Sequence, residues 1–181
     1  ISVVVAVGGV ADQLVPAIKE RMSKLVIGHG DDPASEMGPV ITCEHRDRVA
    51  GYIAAGAEAG ADVVVDGRDF AFEGNGSFIG VSLLDNVTTD MSVYTDEIFG
   101  PVLCVVRVDT YAEGVQMIAD NDFGNGAAIF TRDGGAARQF QQDADAGMVG
   151  INVPIPVPVG YHSFGGWKDS LFGDTTMYGP E

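Results

Sequence analysis

Two cysteines, three histidines and the adjacent carboxylates Asp96 and Glu97 are the first candidates for covalent, metal or proton-transfer chemistry in this sequence. Cys43 and His45 stand close together, but no second cluster completes a tetrahedral set, so no metal site is predicted. Cys104 lies inside the apolar run Val102–Val106, where a thiol behaves as a small hydrophobe with little reactivity. Cys43 sits at the start of a predicted helix and has no partnering base, which makes it an inert thiol too. Ser163 lacks the Gly-x-Ser-x-Gly frame of a nucleophile elbow. Asp96 and Glu97 point in opposite directions on an extended segment, so they cannot serve one substrate as an acid/base pair. By residue type alone, Glu97 is a surface charge before a turn. His29 and His45 read as solvated residues near loop and helix ends. For His162, a pocket-lining role and a structural one are equally open.

Phosphate-binding motifs are no better supported. Gly28-His29-Gly30 lacks the third glycine and does not open a helix after a strand, as a dinucleotide fingerprint requires. In Gly160–Lys168 the lysine comes two positions late for a phosphate loop. Any nucleotide contact must come from side chains, or from another part of a larger protein.

The elements that must position these residues alternate in period. Ile1–Val7 is a β-branched run suited to a buried strand, and Val102–Val108 is a further predicted strand. Val63–Val65, Phe78–Leu84, Ala127–Phe130 and Met148–Asn152 are the other predicted strands. Leu14, Ile18, Met22 and Leu25 repeat at helical spacing, predicting a helix over 11–25 with Pro16 near its first turn. Thr42 can cap a second helix with Val49, Ile53 and Ala57 on its buried stripe, ended by Gly60. Tyr111, Val115 and Ile118 mark a third helix, and Ala137, Phe140 and Ala144 a fourth. Strands separated by helices favour parallel pairing, so the expected fold is a layered α/β domain. Its mostly parallel sheet would be flanked by helices. No linker or repeat divides the chain, which predicts a single domain over residues 1–181.

Composition narrows the partners. With 46% apolar residues the chain can build a real core, and no apolar run approaches the ~18 residues of a membrane helix. Pro154, Pro156 and Pro158 mark the longest apolar candidate as an extended loop instead. A net charge of −16 disfavours nucleic acid, because phosphate binding needs a basic face. It fits an acidic soluble protein or a salt-adapted host. Two cysteines are too few for a disulfide scaffold and fit the cytoplasm, or a mitochondrial matrix in a eukaryote.

The longer motifs carry a family resemblance. Glu97-Ile98-Phe99-Gly100-Pro101-Val102, followed later by Ser163-Phe164-Gly165-Gly166-Trp167-Lys168, resembles two signature stretches of the aldehyde dehydrogenase catalytic domain. Gly124–Thr131, Gly147–Pro158 and Lys168–Asp174 narrow the likeness to the CoA-acylating methylmalonate-semialdehyde dehydrogenase branch. The resemblance covers essentially the whole chain. It implies NAD as cofactor and CoA as acyl acceptor, with a homo-oligomeric intact protein. Glu97 would accept the nicotinamide-ribose hydroxyls and Phe99 would pack beside the ring. Phe164 would line the aldehyde pocket, with His162 beside it, while Lys168 would anchor that loop from outside. A cysteine thiolate would attack the aldehyde, and hydride would pass to NAD. The acyl group would then leave as propionyl-CoA after decarboxylation, or as acetyl-CoA from malonate semialdehyde. In that family the nucleophilic cysteine lies just before a strand like Ile1–Val7. The resemblance therefore places the nucleophile upstream of Ile1 and leaves this chain, a truncated catalytic domain, inactive alone. The dinucleotide-binding domain and the terminal oligomerisation strand would also lie outside it. Two alternatives stand beside this reading: an aldehyde dehydrogenase that hydrolyses its acyl enzyme, and a non-catalytic assembly module on the same scaffold. Pro154–Pro158 and Phe172-Gly173-Asp174 argue against the first.

Overall fold

Val3–Val7, β-branched at all but one position, forms strand β1 of a four-stranded sheet in the computed structural model, which describes residues 2–163 and 165–172. The chain divides into two compact units, Ser2–Asp109 and a second from Thr110 onward.

In the first unit, β1 is followed by helices α1 (Ala11–Met22) and α2 (Cys43–Glu58), strands β2 (Asp62–Val65) and β3 (Ser82–Asp85), the short helix α3 (Ser92–Thr95) and strand β4 (Val102–Val108). The sheet order is β1-β4-β3-β2. β4 pairs in parallel with both neighbours, Val3 opposite Cys104 and Ser82 opposite Val102. β2 departs from the parallel expectation and runs antiparallel to β3. No crossover helix intervenes between β2 and β3, so the chain simply returns alongside. Alternation along the strands feeds two layers. Leu83 and Val105 pack with Ala6, Ala11 and Val15 on the α1 side. Leu84 points the other way, towards α2, where a Cβ on Gly56 would come within 2.6 Å of it.

Several boundaries differ from the sequence expectation for local reasons. α1 stops at Met22 because Lys24 and Leu25 donate to Arg21 and Met22 in tighter i→i+3 turns. Pro16 lies inside α1, beyond its first turn, and its missing N–H leaves the Asp12 carbonyl without an i+4 donor. Thr42 does cap α2, accepting from the His45 N–H at 3.1 Å. Gly56, not Ala57, fills the third buried position, because only a glycine lets the helix approach Leu84 and Val93. β3 begins at Ser82, four residues later than expected. Upstream of it the Gly80 N–H bonds the Gly67 carbonyl, and Phe78 stacks on Phe72 at 3.7 Å.

The second unit opens with α4 (Tyr111–Asp120), held by a reciprocal capping box between Thr110 and Glu113. β5 (Phe123–Gly124), β6 (Gly126–Ile129), α5 (Gly134–Asp143), β7 (Met148–Ile151) and β8 (Trp167–Lys168) follow. β6 and β7 pair in parallel across α5, while β5 and β8 pair antiparallel. β7 ends one residue early because Asn152 turns left-handed (φ 57°) and its amide bonds both the N–H and the carbonyl of Thr131. Tyr111 donates its hydroxyl to Asp143, tying α4 to α5; burial and that carboxylate push its phenol up to about 12. Among the described residues, no helix is long and apolar enough to cross a membrane.

Candidate functional site

The stretch from Asp96 to Pro101 connects α3 to β4; Asp96 and Glu97 are exposed, Ile98 is buried and Phe99 is exposed again. Asp96 accepts the Tyr52 hydroxyl at 2.9 Å, which raises the pKa of that phenol. Ile98 is buried as the anchor. Between and beyond them, Glu97 and Phe99 face outward, Phe99 with 77% of its surface exposed. Among the described residues, none bonds the Glu97 carboxylate, so both of its oxygens remain as acceptors.

Phe99 adopts φ 57°, uncommon for a bulky L-residue. His45 Nε2 lies 2.8 Å from its carbonyl oxygen. Gly100 then lies directly on α2: a Cβ there would sit 2.6 Å from a methyl of fully buried Val49, so only glycine lets the chain pass. Pro101 hands the chain on, its carbonyl accepting the Ser82 N–H. Beside this segment runs an open groove of about 550 Å³, with Met37, Pro39, Ile41, His45, Phe99 and Pro101 among its lining residues. A carboxylate can accept hydroxyl donors and an exposed ring can pack a flat ligand, so Glu97 and Phe99 are compatible with the nicotinamide riboside that the resemblance implies.

The Pro154–Phe172 loop belongs to the second unit. His162 is exposed, donates its N–H to the Val159 carbonyl and tilts its ring against Tyr161 at 4.7 Å. Phe164, the other residue expected at the aldehyde pocket, lies outside the described residues. Lys168 is held more closely than an external anchor would be. Its ammonium donates to the carbonyls of Ile118, Ala119 and Asn121 at 2.8–3.0 Å and pairs with Asp145 at 3.1 Å. These carbonyls end α4, whose last turn contains no basic residue of its own. That vacancy was the available sequence signal for a lysine arriving from far along the chain. Gly147 makes room for the loop, because any Cβ there would collide with the Gly165 carbonyl.

The remaining candidates separate cleanly. Cys104 is buried, donates to the Val93 carbonyl at 3.4 Å, and burial pushes its thiol up to about 11. Cys43 is exposed beside Ser77, at 3.4 Å. A thiol-directed reagent should label Cys43 at least roughly tenfold faster than Cys104 in the folded protein, and both alike after unfolding. Mass spectrometry of the timed products reads this directly, and equal native rates would remove Cys104 from the core. His29 is exposed in its loop and packs edge-on to Phe72 and Phe78, while His45, half-buried near the start of α2, also reaches the Phe99 carbonyl. Among the described residues, no group of three or more His, Cys, Asp or Glu could hold a metal ion.

Comparison with known proteins gives a consistent result. The profile of the aldehyde dehydrogenase family matches residues 1–179. A malonate-semialdehyde dehydrogenase of Pseudomonas aeruginosa is 53% identical over 100% of this chain and 37% of its own length. The crystal structure of a methylmalonate-semialdehyde dehydrogenase from Oceanimonas doudoroffii superposes with a TM-score of 0.95 at 51% identity, covering 99% of this chain and 38% of that one. A Sinorhizobium meliloti 1021 protein solved in complex with NAD gives the same TM-score and identity over 99% of this chain and 37% of its own. The chain therefore spans a little over a third of the relatives it matches.

Proposed function

Because the chain belongs to the aldehyde dehydrogenase family, we propose that it is part of an NAD-dependent, CoA-acylating methylmalonate- or malonate-semialdehyde dehydrogenase. The observation that carries this reading is the 53% identity to a malonate-semialdehyde dehydrogenase across the entire chain. The neighbouring structure solved with NAD supports the cofactor assignment.

In this reading Glu97 accepts the nicotinamide-ribose hydroxyls, and the exposed face of Phe99 restricts where the ring can lie. Bound NAD supplies the hydride acceptor. Ile98 and Gly100 hold the segment to the core, so the two outward side chains are presented from a fixed backbone. The resemblance gives Phe164 and His162 the aldehyde side, and Lys168, further along the chain, is tethered to the end of α4. The nucleophilic cysteine is neither Cys104, whose raised pKa leaves little thiolate, nor Cys43. The intact protein is a cytoplasmic (or mitochondrial matrix) homo-oligomer, consistent with two free cysteines and the exposed apolar side chains of Ile155, Val157 and Tyr161.

The test supplies the full-length protein carrying this segment with methylmalonate semialdehyde, NAD and CoA. NADH absorbance should rise with one propionyl-CoA formed for each NADH, identified by mass spectrometry. NADH accompanied by free acid, with no thioester, would replace CoA transfer by hydrolysis.

A further inference from the structure

Phe99 is gripped from α2 at two adjacent points, and one of them is a histidine. The Val49 side chain packs where Gly100 lacks a Cβ, and His45 Nε2 reaches the Phe99 carbonyl at 2.8 Å. On the other side of the imidazole, Arg48 Nη2 lies 3.1 Å from His45 Nδ1. A guanidinium can only donate and a carbonyl can only accept. Nδ1 must therefore accept from Arg48, and Nε2 must carry the proton donated to Phe99. Both contacts demand the same neutral tautomer, so each fixes the geometry of the other. The backbone of His45 is fixed as well, because its N–H is bonded by the Thr42 cap of α2.

We propose that His45 is a positioning residue for the cofactor-binding segment. Its Nε2–H holds the Phe99 carbonyl, and with it the left-handed turn that presents Glu97 and the Phe99 ring to the same ligand. Arg48 holds the imidazole in the donating tautomer. The inference rests on the reading that Glu97 and Phe99 contact NAD. Left-handed backbone at a phenylalanine persists only where neighbours hold it, and His45 and Val49 do so here.

The experiment compares His45→Gln, His45→Asn and Glu97→Gln in the full-length protein. A glutamine amide nitrogen stands as many bonds from Cβ as Nε2 does, so it can still donate to Phe99; asparagine is one bond short. His45→Asn should raise KM for NAD about fivefold, the value of one lost hydrogen bond, with a much smaller change in kcat. It should also speed amide exchange in a peptide covering residues 95–102. His45→Gln should remain within about twofold of wild type on both measures. If Glu97→Gln raises KM for NAD while His45→Asn leaves it unchanged, His45 does not position the segment. Equal impairment by Gln and Asn overturns the proposal too, because bulk rather than the Nε2 donor would then be what matters. If Glu97→Gln is silent, the cofactor reading falls, and exchange decides the rest. Faster exchange in His45→Asn alone then upholds the clamp, and unchanged exchange overturns it.

Discussion

Replacing Glu97 with Gln in the full-length protein should weaken productive use of NAD by up to about a hundredfold while leaving the thermal midpoint within about a degree of wild type. The carboxylate is exposed and no described residue bonds it, so its removal costs the fold nothing identifiable. Its contribution lies in two anionic oxygens able to accept ribose hydroxyls. An amide keeps the shape but is a weaker acceptor, and a charge-assisted bond contributes about 1.5–3 kcal/mol. Asp96 provides the internal comparison. That neighbouring carboxylate is already engaged by Tyr52, so Asp96→Asn should spare NAD kinetics. Initial rates at subsaturating NAD make the measurement. Unaltered kcat/KM for NAD in Glu97→Gln would remove this residue from the cofactor site.

The parts of this fold that were legible in sequence are those decided within a few residues. Ile1–Val7 read as a buried strand because a β-branched run suits a covered sheet, and Val102–Val108 read as a further strand; strands form over Val3–Val7, mostly half-buried, and over Val102–Val108. Thr42 read as a cap because its hydroxyl needs only the N–H three residues on. The antiparallel return of β2 was not legible, since strand direction depends on which partner the chain meets and not on local pattern. Nor was the choice of Gly56 over Ala57, which is settled by Leu84 and Val93 closing on α2 from elsewhere in the chain.

The candidate site divides along the same line. Alternation around Ile98 places Glu97 and Phe99 outward, and sequence could anticipate that much; their ligand came only through resemblance. The contact His45 makes was not legible, because its partner is a carbonyl 54 residues away and backbone acceptors leave no trace in residue types. Lys168 shows the same limit. One of very few lysines in an acidic chain, it is held by three carbonyls at the end of α4 and one carboxylate. Charge alone would have paired it with any of many aspartates.

The other large effect should be on stability and should depend on pH. Asp85 ends β3 with its side chain 6% exposed. It accepts from the Asn86 N–H at 2.8 Å and from Arg107 at 2.6 and 3.0 Å, while Arg107 also reaches Asp12 in the first turn of α1. One carboxylate thus joins β3 to β4 and, through the guanidinium, to α1. Asp85→Ala should destabilise the full-length protein by on the order of 2–3 kcal/mol, because the Asn86 N–H and part of the guanidinium lose their partner. Arg107 holds the Asp85 carboxyl below the usual range, against the opposing effect of burial. A lowered folded pKa means that the ionised pair stabilises fully above the ordinary aspartate value of about 4. The contribution is lost as pH falls from there through the folded value. The stability gap between wild type and Asp85→Ala should therefore be constant near neutrality and narrow progressively below about pH 4. Urea midpoints taken at a series of pH values measure it, with equal slopes confirming that both proteins unfold comparably. A gap that stayed constant into the acid range would mean that Asp85 stabilises by packing and neutral hydrogen bonds. The link from α1 to the sheet would then not depend on its charge.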